Sequence, residues 1–523
     1  MFSGPGGFPD KRYIWPQYHR IWGKESMNSQ VLREARIYEE VAEKVIRREE
    51  KPLFHLCART GWMNDPNGFS WYQGRYHLFY QYYPYTTRWG SMHWGHAVST
   101  DLLHWTFCPA ALAPDQVYDK DGCFSGSAVT LPDGRQLLMY TGVSCSRGQL
   151  GEKVETQTQC LAVGDGDNYE KYEGNPVITG ADLPEGASRS DFRDPRIRVR
   201  KDGTYDAYVG SRAEDGSGQI LLYRSTDGFR WHFEKILAKN GCRFGMMWEC
   251  PDFFPLDGKW VLLVSPQDML PADYEYHNGN GTLCLIGSYD EEQMEFREEA
   301  DQAIDYGIDF YAAQTVVSPD GRRIMIGWMQ NWDTVAQHTV GLKWYGQMTL
   351  PRELSVRNGR LYQWPVRELE DLRSNKAEYL LDDFAGSISW PDVKGRTIDL
   401  QVEIEPAHRD RMYHKFALRV AKDDRFYTTL SFHPSENILK IDRKFSGSRR
   451  AIIHQRRSKI NTVDGRLSLR IILDRYSIEV FVNGGEYVLT ATIFTDLCAD
   501  GIEFLADGDI RMHVVKYDIV SGS

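Results

Sequence analysis

The chain has 523 residues and a mass of 60.3 kDa, which indicates roughly two to four domains of ordinary size. It carries 62 basic and 73 acidic residues, a net charge of −11, and this argues against nucleic acid or an anionic membrane as a partner, because phosphate recognition needs a basic field. Aromatic residues make up 13% of the chain, which excludes a disordered polymer and favours a β-rich protein able to stack on sugar rings.

The N-terminus and the cysteines predict a cytoplasmic protein with no membrane partner. The first residues contain no apolar stretch of the signal-peptide type and already include Asp10. The longest aliphatic runs, such as Val261 to Val264, fall far short of the ~20 residues that cross a bilayer. Nine scattered cysteines without a C-x-x-C pair are typical of reduced, buried thiols.

Residues 28–50 are predicted to form a helix. Apolar residues recur there at steps of four and three between charged ones, at Val31, Ala35, Tyr38, Ala42 and Val45. Asn28 or Ser29 is expected to cap the N-terminus. We expect this helix to pack on the main domain, with a dimerisation helix as the alternative.

From residue 52 onward, short aromatic and β-branched strands alternate with glycine turns. Turn glycines followed by a strand-like segment recur at steps of 60, 69, 55 and 63 residues, at Gly74, Gly134, Gly203, Gly258 and Gly321. The element Ser-Thr-Asp-x-x-x-Trp also occurs twice, beginning at Ser99 and at Ser225. Five such units of about 60 residues predict a five-bladed β-propeller.

One position of each unit is of particular interest. The residues nine positions before the turn glycines are Asp65, Ser125, Asp194, Glu249 and Ala312. Equal offsets imply equivalent places near the start of the strand that leads into each hairpin. Because the innermost strands of a propeller line its central channel, we expect these positions, three of them acidic, to converge at one mouth.

The C-terminal part reads as a second all-β domain. Ile398, Leu400, Val402 and Ile404 alternate with polar residues, and similar strands follow, one of them before an Asn483-Gly484 turn. This predicts an antiparallel β-sandwich. The expected organisation is a helical extension (1–51), the propeller (52–356), a linker (357–375) and the sandwich (376–523).

Converging carboxylates suggest glycoside hydrolysis, which needs two carboxyl groups with opposite duties. One must be ionised to attack or support the anomeric carbon, and the other must hold a proton for the leaving oxygen. We expect Asp65 to remain ionised among the donors of its turn. We expect Glu249, flanked by Trp248 and Cys250, to be the protonated acid, and Asp194 to bind sugar hydroxyls.

Seven motifs occur in order along the chain: Trp62-Met63-Asn64-Asp65-Pro66-Asn67-Gly68, Phe79-Tyr80-Gln81-Tyr82, Trp94-Gly95-His96, Phe124-Ser125-Gly126-Ser127, Phe192-Arg193-Asp194-Pro195, Trp248-Glu249-Cys250-Pro251-Asp252 and Leu350-Pro351-Arg352-Glu353-Leu354. Together they resemble the motifs of glycoside hydrolase family 32, the invertase or β-fructofuranosidase family. The segment from Glu479 to Asn483 resembles a landmark of that family's C-terminal sandwich.

The resemblance implies a five-bladed propeller followed by a β-sandwich, and a retaining hydrolase that releases terminal β-fructofuranosyl units from sucrose and short fructo-oligosaccharides. It implies that Asp65 is the nucleophile, Glu249 the general acid/base and Asp194 the transition-state stabiliser. Neither a metal nor an organic cofactor is expected. The residues it implies for the fructose subsite are Trp62, Asn64, Gln81, Trp89, Phe124, Ser125 and Arg193.

Two features depart from the family pattern. The N-terminal extension has no assigned role, and Tyr83 stands where many bacterial members carry Asn.

His93 and His96 have zinc-like spacing but no acid or Cys at a fitting offset, so no metal site is expected.

Three other functions stay open: a fructosyltransferase, a non-catalytic sugar-binding propeller and an arabinanase-type five-bladed enzyme. The sequence also leaves open a homo-oligomer, and the choice between sucrose, sucrose 6-phosphate and fructo-oligosaccharides.

Overall fold

A computed structural model describes residues 29–148, 151–335, 341–447 and 453–520. As the sequence predicts, helix α1 (Gln30–Glu43) is followed by a five-bladed β-propeller and a C-terminal β-sandwich. Most of the predicted extension before α1, including Asn28, lies outside the described residues.

Helix α1 is shorter than the predicted 28–50. Ser29 caps it, since its Oγ accepts a hydrogen bond of 3.2 Å from the backbone N–H of Leu32. The buried face comprises Leu32, Ala35, Tyr38, Glu39 and Ala42. The helix ends at Glu43, and Val45, predicted to continue the apolar face, is 51% exposed. A single turn of 3-10 helix follows at Arg48–Glu50.

The propeller consists of five antiparallel sheets that follow one another along the chain. Blade 1 contains β1 (Gly61–Tyr72), β2 (Arg75–Tyr83), β3 (His93–Ser99) and β4 (Thr106–Leu112). Blade 2 contains β5 (Gly122–Thr130), β6 (Gln136–Arg147), β7 (Lys153–Gly164) and β8 (Tyr169–Lys171). Blade 3 contains β9 (Ala187–Val199), β10 (Tyr205–Ala213), β11 (Gly218–Ser225) and β12 (His232–Lys239).

Blade 4 contains β13 (Trp248–Leu256), β14 (Lys259–Pro266), β15 (Leu283–Asp290) and β16 (Glu295–Ala303). The last unit contains β17 (Tyr311–Val317), β18 (Arg323–Trp328), β19 (Trp344–Tyr345), β20 (Arg352–Arg357) and β21 (Arg360–Pro365). Of these, β17, β18, β20 and β21 form blade 5, whereas β19 pairs in parallel with β1 of blade 1. This pairing joins the last unit to the first and closes the ring.

A β-bulge interrupts each innermost strand near the position that the repeat singles out. The irregular stretches contain Asp65, Ser125, Asp194, Cys250 and Ala312. A bulge takes a residue out of the regular ladder and re-aims its side chain. All five blades therefore present these positions outside the ordinary in-and-out alternation of a strand.

The prediction that Glu249 is the blade 4 equivalent of Asp194 is wrong by one residue. Asp194 and Ala312 have positive φ angles of 65° and 55°, and in blade 4 the corresponding residue is Cys250, with φ 50°. Cys250 is therefore the backbone equivalent of Asp194. The constant offset of nine residues selects Glu249 only because the turn of blade 4 comes one residue earlier.

The predicted end of the propeller at residue 356 lies inside blade 5. Strand β21, the outer strand of that blade, falls within the predicted linker of residues 357–375, and a 3-10 helix (Arg367–Leu372) leads directly into the next strand at Arg373. The connection between the two β units is therefore shorter than predicted, because the hairpin of β20 and β21 completes the propeller.

The sandwich is built around one long strand. It contains β22 (Arg373–Ile388), β23 (Ile398–Pro406), β24 (Lys415–Lys422), β25 (Thr428–His433), β26 (Ile438–Asp442), β27 (Gln455–Lys459), β28 (Leu467–Asp474), β29 (Ser477–Val482), β30 (Tyr487–Thr492) and β31 (Gly501–Ile519). β31 pairs with β24 along its first half and with β23 along its second half, and β22 accompanies it throughout. The strand β31 thus connects the strands on the β24 side of the sandwich to those on the β23 side.

Two of the sequence motifs meet where the sandwich contacts the propeller. Glu479 of β29 accepts hydrogen bonds from Arg352 of β20, the shortest at 2.6 Å, and lies 2.8 Å from Nε2 of His55. The other ring nitrogen of His55 lies 2.9 Å from Asp474. All four side chains are buried, so this charged cluster fastens the two units together.

None of the helices in the described parts of the chain has the length and apolar character that crossing a bilayer requires. All nine cysteines lie within the described residues, and none is in a disulfide.

Candidate active site

Asp65 lies in a cradle of hydrogen-bond donors from blades 1 and 2. Its Oδ2 accepts a hydrogen bond of 2.8 Å from Ser125 Oγ, and its Oδ1 accepts one of 3.0 Å from Asn64 Nδ2. Asn64 is itself oriented by Trp62, whose Nε1 donates to its Oδ1 at 2.7 Å. Hydrogen bonds therefore link four predicted site residues, Trp62, Asn64, Asp65 and Ser125, and the buried carboxylate of Asp65 accepts from two of them.

Asp194 approaches the same point from blade 3. Its Oδ2 accepts a hydrogen bond of 3.0 Å from the backbone N–H of Cys250 in blade 4. The Cys250 thiol lies between the two aspartates, with Sγ at 3.7 Å from Asp65 Oδ2 and 3.6 Å from Asp194 Oδ2. Asp194 and Cys250 both have positive φ angles, a backbone conformation that costs a residue other than glycine about 1 kcal/mol or more. This conformation brings the Cys250 thiol close to both aspartates.

Glu249 is held by three donors from different blades. Arg193 Nε donates to Oε1 at 2.8 Å, and Oε2 accepts hydrogen bonds from Tyr311 OH at 2.6 Å and Gln267 Nε2 at 3.0 Å. Arg193 also donates to Asp191 at 3.1 Å and to Gln157 at 3.3 Å.

The remaining predicted site residues are aromatic or amide side chains around these acids. Trp62 stacks on Tyr345 at 4.6 Å between ring centroids. Gln81 is buried and donates to the backbone oxygen of Cys123 at 3.0 Å. Trp89 is 48% exposed and makes an edge-to-face contact with Phe124 at 6.0 Å. The site thus has a polar floor and an aromatic rim, which suits a sugar ring.

Burial and mutual repulsion both act on the two aspartates. Burial, together with the charge of Glu249, raises the pKa of Asp65 to about 6, although the hydrogen bonds from Ser125 and Asn64 oppose this rise. Burial and the Glu249 charge likewise raise the pKa of Asp194 to about 7, against the lowering effect of Arg193. With a pKa of about 6, Asp65 is mainly ionised near pH 7.

The surroundings of Glu249 differ from those expected. The sequence suggests that Trp248 and Cys250 flank the carboxyl group with apolar surface, but the Trp248 indole N–H points away and donates to the backbone oxygen of Phe244. Three donors surround the carboxyl group instead.

The sequence predicts no role for three residues of the site, Tyr311, Gln267 and Cys250. Tyr311 immediately precedes Ala312, the repeat position of blade 5, and Cys250 immediately follows Glu249. Neighbours of the repeat positions were thus the available signal for these two. Gln267 lies in the loop after β14, and no repeat position marks it.

Comparison with known proteins agrees with this arrangement. Residues 55–365 match the family described as "Glycosyl hydrolases family 32 N-terminal domain", and residues 368–521 match "Glycosyl hydrolases family 32 C terminal". The chain belongs to glycoside hydrolase family 32. Among relatives of this family 32 enzyme, a raffinose invertase of Escherichia coli is 37% identical over 88% of this chain and 94% of its own. A sucrose-6-phosphate hydrolase of Bacillus subtilis is 36% identical over 88% of this chain and 92% of its own.

Solved structures of family 32 proteins share the fold. A β-fructofuranosidase of Bombyx mori, solved as a variant in complex with sucrose, superposes with a TM-score of 0.79 at 33% identity, covering 94% of this chain and 98% of its own. A sucrose-6-phosphate hydrolase of Lactobacillus gasseri superposes with a TM-score of 0.76 at 26% identity, covering 98% of this chain and 99% of its own.

Proposed function

We propose that this family 32 enzyme is a retaining β-fructofuranosidase, which releases terminal β-D-fructofuranosyl units from sucrose and short fructo-oligosaccharides. The observation that carries the proposal is the asymmetry between the two carboxyl groups. Asp65 is held by neutral donors, whereas Glu249 is held by Arg193, Gln267 and the Tyr311 hydroxyl, and that hydroxyl can either donate to the carboxyl group or accept from it. Such a pair meets the requirement for one nucleophile and one proton carrier.

In the first step, an oxygen of ionised Asp65 attacks the anomeric carbon of the fructosyl unit, and the bond to the leaving oxygen breaks. Glu249 transfers its proton to that oxygen, so the leaving sugar departs as a neutral alcohol. Asp194 accepts hydrogen bonds from fructose hydroxyls and supports the positive charge that develops at the anomeric carbon.

In the second step, Glu249, now ionised, takes a proton from a water molecule as the water oxygen attacks the anomeric carbon. The ester bond to Asp65 breaks, which frees fructose and restores the ionised Asp65 and the protonated Glu249. Two displacements at one carbon leave its configuration unchanged.

Tyr311 allows Glu249 to alternate between these states. The single proton of its hydroxyl has two acceptors, Glu249 Oε2 at 2.6 Å and the backbone oxygen of Ser265 at 3.0 Å. When Glu249 is ionised the hydroxyl donates to it. When Glu249 is protonated, the hydroxyl turns to Ser265 and its oxygen accepts from the carboxyl group. No buried group is left unpaired in either state.

The other residues bind the sugar. Trp62, Asn64, Gln81, Phe124 and Ser125 form the floor and wall of the fructose subsite, and Trp89 stands at its rim. Arg193, which already contacts Glu249, would hold the hydroxyls of the fructosyl unit close to the acid. The related proteins named as a raffinose invertase and as sucrose-6-phosphate hydrolases support a sucrose-type substrate and leave the 6-phosphate as an alternative.

The test is the kcat/KM of the purified enzyme for sucrose, sucrose 6-phosphate, kestose, inulin and levan. Fructose release that is fastest from sucrose or kestose supports the proposal, and dominance of sucrose 6-phosphate would reassign the substrate within the same chemistry. Release of no fructose from any of the five would refute it. We also propose that the enzyme works in a reducing compartment, since its nine cysteines are unpaired.

A further inference from the structure

Helix α1 lies outside the segment that matches the family, which begins at residue 55. Besides ion pairs of Glu39 and Glu43 with Arg59, its contacts with the propeller fall into two groups. One group joins the helix to the outer edge of blade 1, and the other joins it to the loop that carries Trp89. The two groups use different side chains, so their roles can be separated.

The first group binds one position of an open sheet edge. Both backbone hydrogen-bonding groups of Ala110, in the edge strand β4, are bound by α1. Arg36 Nε donates to the oxygen of Ala110 at 2.9 Å, and Glu39 Oε1 accepts from its N–H at 2.9 Å. Arg36 also donates to Asn168 at 3.0 Å. These contacts cover the part of the edge at Ala110, which would otherwise be open to other strands.

The second group reaches the loop between β2 and β3. Tyr38 is 4% exposed, and its hydroxyl donates to the backbone oxygen of Tyr85 at 3.2 Å. The two rings also meet edge to face with centroids 5.0 Å apart. Tyr38 is thus both packed against the start of the loop and hydrogen-bonded to its backbone.

From Tyr85 the contacts continue to Trp89. The Tyr85 ring meets the Tyr83 ring at 5.3 Å between centroids. The Tyr83 ring in turn lies against the backbone of Gly90, where an added Cβ would come within 2.7 Å of it. Gly90 is adjacent to Trp89, whose ring contacts Phe124 at 6.0 Å. A path of contacts therefore runs from α1 to the rim of the site, through aromatic rings as far as Tyr83 and then through the backbone of Gly90.

This path explains how Trp89 can be half exposed and still have a defined position. An exposed indole on a loop has few neighbours of its own, so its position depends on the backbone that carries it. Here that backbone packs on the Tyr83 ring, and Tyr83 packs on Tyr85, which α1 holds.

We propose that α1 is a positioning element of the active site, in which Tyr38 acts through Tyr85 and Tyr83 to fix the loop of residues 84–92 and the Trp89 ring. The substrate-binding part of this inference rests on the proposed function. The bracing of the loop does not, because it can be observed in the free enzyme.

The experiment compares Tyr38→Ala with Arg36→Ala, which disturbs the helix without touching the loop. Hydrogen–deuterium exchange of the free proteins reports on residues 84–92, and steady-state kinetics with sucrose gives KM and kcat separately. Tyr38→Ala should speed exchange in this loop and raise KM roughly fivefold, with kcat changed by less than about twofold. Arg36→Ala should lower the thermal midpoint while leaving both the loop exchange and KM as in the parent.

The inference is overturned if Tyr38→Ala leaves loop exchange unchanged, if it speeds exchange without changing KM, or if Arg36→Ala produces the same effects. Tyr38→Phe keeps the ring and removes only the hydrogen bond to Tyr85. If Tyr38→Ala does not fold, the same exchange and KM criteria apply to Tyr38→Phe, with a smaller expected rise. An inactive parent enzyme would count against the proposed function, and the exchange measurement would then decide the bracing alone.

Discussion

Ser125 donates a hydrogen bond of 2.8 Å to Asp65 although the two residues lie in different blades, 60 positions apart. Both occupy the position that the propeller repeat singles out. The repeat therefore supplies the proposed nucleophile in one blade and its hydrogen-bond donor in the next. Because this hydrogen bond lowers the pKa of Asp65, it should influence how the activity depends on pH.

Removing the Ser125 hydroxyl should raise the pKa of Asp65 further, because its hydrogen bond favours the ionised carboxylate. The acid limb of the kcat/KM profile, expected near pH 6 in the parent, should move to higher pH in Ser125→Ala, and kcat/KM should fall by about tenfold or more. The matched control is Ser127→Ala in the same strand, since Ser127 donates to the backbone oxygen of Pro195 and not to Asp65. An unchanged limb in Ser125→Ala would refute this coupling.

Replacing Glu249 by Gln should have two separable effects. Sucrose turnover should fall by ~10²–10⁴-fold because the leaving oxygen loses its proton donor. The first step with a nitrophenyl fructoside, whose leaving group needs no proton, should fall much less in a pre-steady-state measurement. The acid limb for that step should also move to lower pH, because the Glu249 charge no longer raises the pKa of Asp65. Equal losses on both substrates would contradict the assignment of Glu249 as the acid.

Asp194→Asn should lower activity and raise stability at neutral pH. Burial and the Glu249 charge raise the pKa of Asp194 in the folded enzyme from 3.8 to about 7. The folded state thus binds this proton more tightly than the unfolded chain, and stability declines as the pH rises from about 4 through 7. The neutral Asn avoids that decline, so urea unfolding should show it roughly 1–3 kcal/mol more stable at pH 7.5, with the gap closing near pH 4.

Asp227 offers a control for the stability measurement, because folding lowers its pKa whereas folding raises that of Asp194. Despite partial burial, hydrogen bonds from the backbone of Arg230 and Phe229 lower its pKa, so Asp227→Asn should be no more stable than the parent at pH 7.5. A destabilised Asp194→Asn at that pH would show that the carboxylate is not held under strain.

The carboxylates could be found from the sequence because a turn glycine follows each of them after nine residues, although in blade 4 the backbone equivalent of Asp194 is Cys250 and not Glu249. Their partners could not. The contacts of Tyr311 with Glu249 depend on side-chain directions set by the bulges, and Gln267 reaches the site from a loop that has no repeat position. Likewise, nothing in the periodicity of α1 could show that Tyr38 meets Tyr85, since that contact depends on how the helix lies across blade 1.

The contact between the two β units leads to a prediction about stability. Glu479→Gln removes the charge that faces Arg352 and His55 at a fully buried place, and it should lower the free energy of unfolding by about 3 kcal/mol. The activity per folded molecule should remain close to that of the parent. Glu378→Gln, at an exposed pair with Lys376, should change stability by less than about 0.5 kcal/mol. Similar effects of the two substitutions would contradict a structural role for the buried cluster.

The proposed mechanism requires a covalent bond between Asp65 and the fructosyl unit, and the stereochemistry of fructosyl transfer to an added alcohol is the test of that bond. With sucrose and methanol as the acceptor, the product is a methyl fructofuranoside that cannot mutarotate, and NMR assigns its anomeric configuration. Two displacements predict methyl β-D-fructofuranoside. The methyl α-D-fructofuranoside as the enzymatic product would show a single displacement and contradict the role given to Asp65.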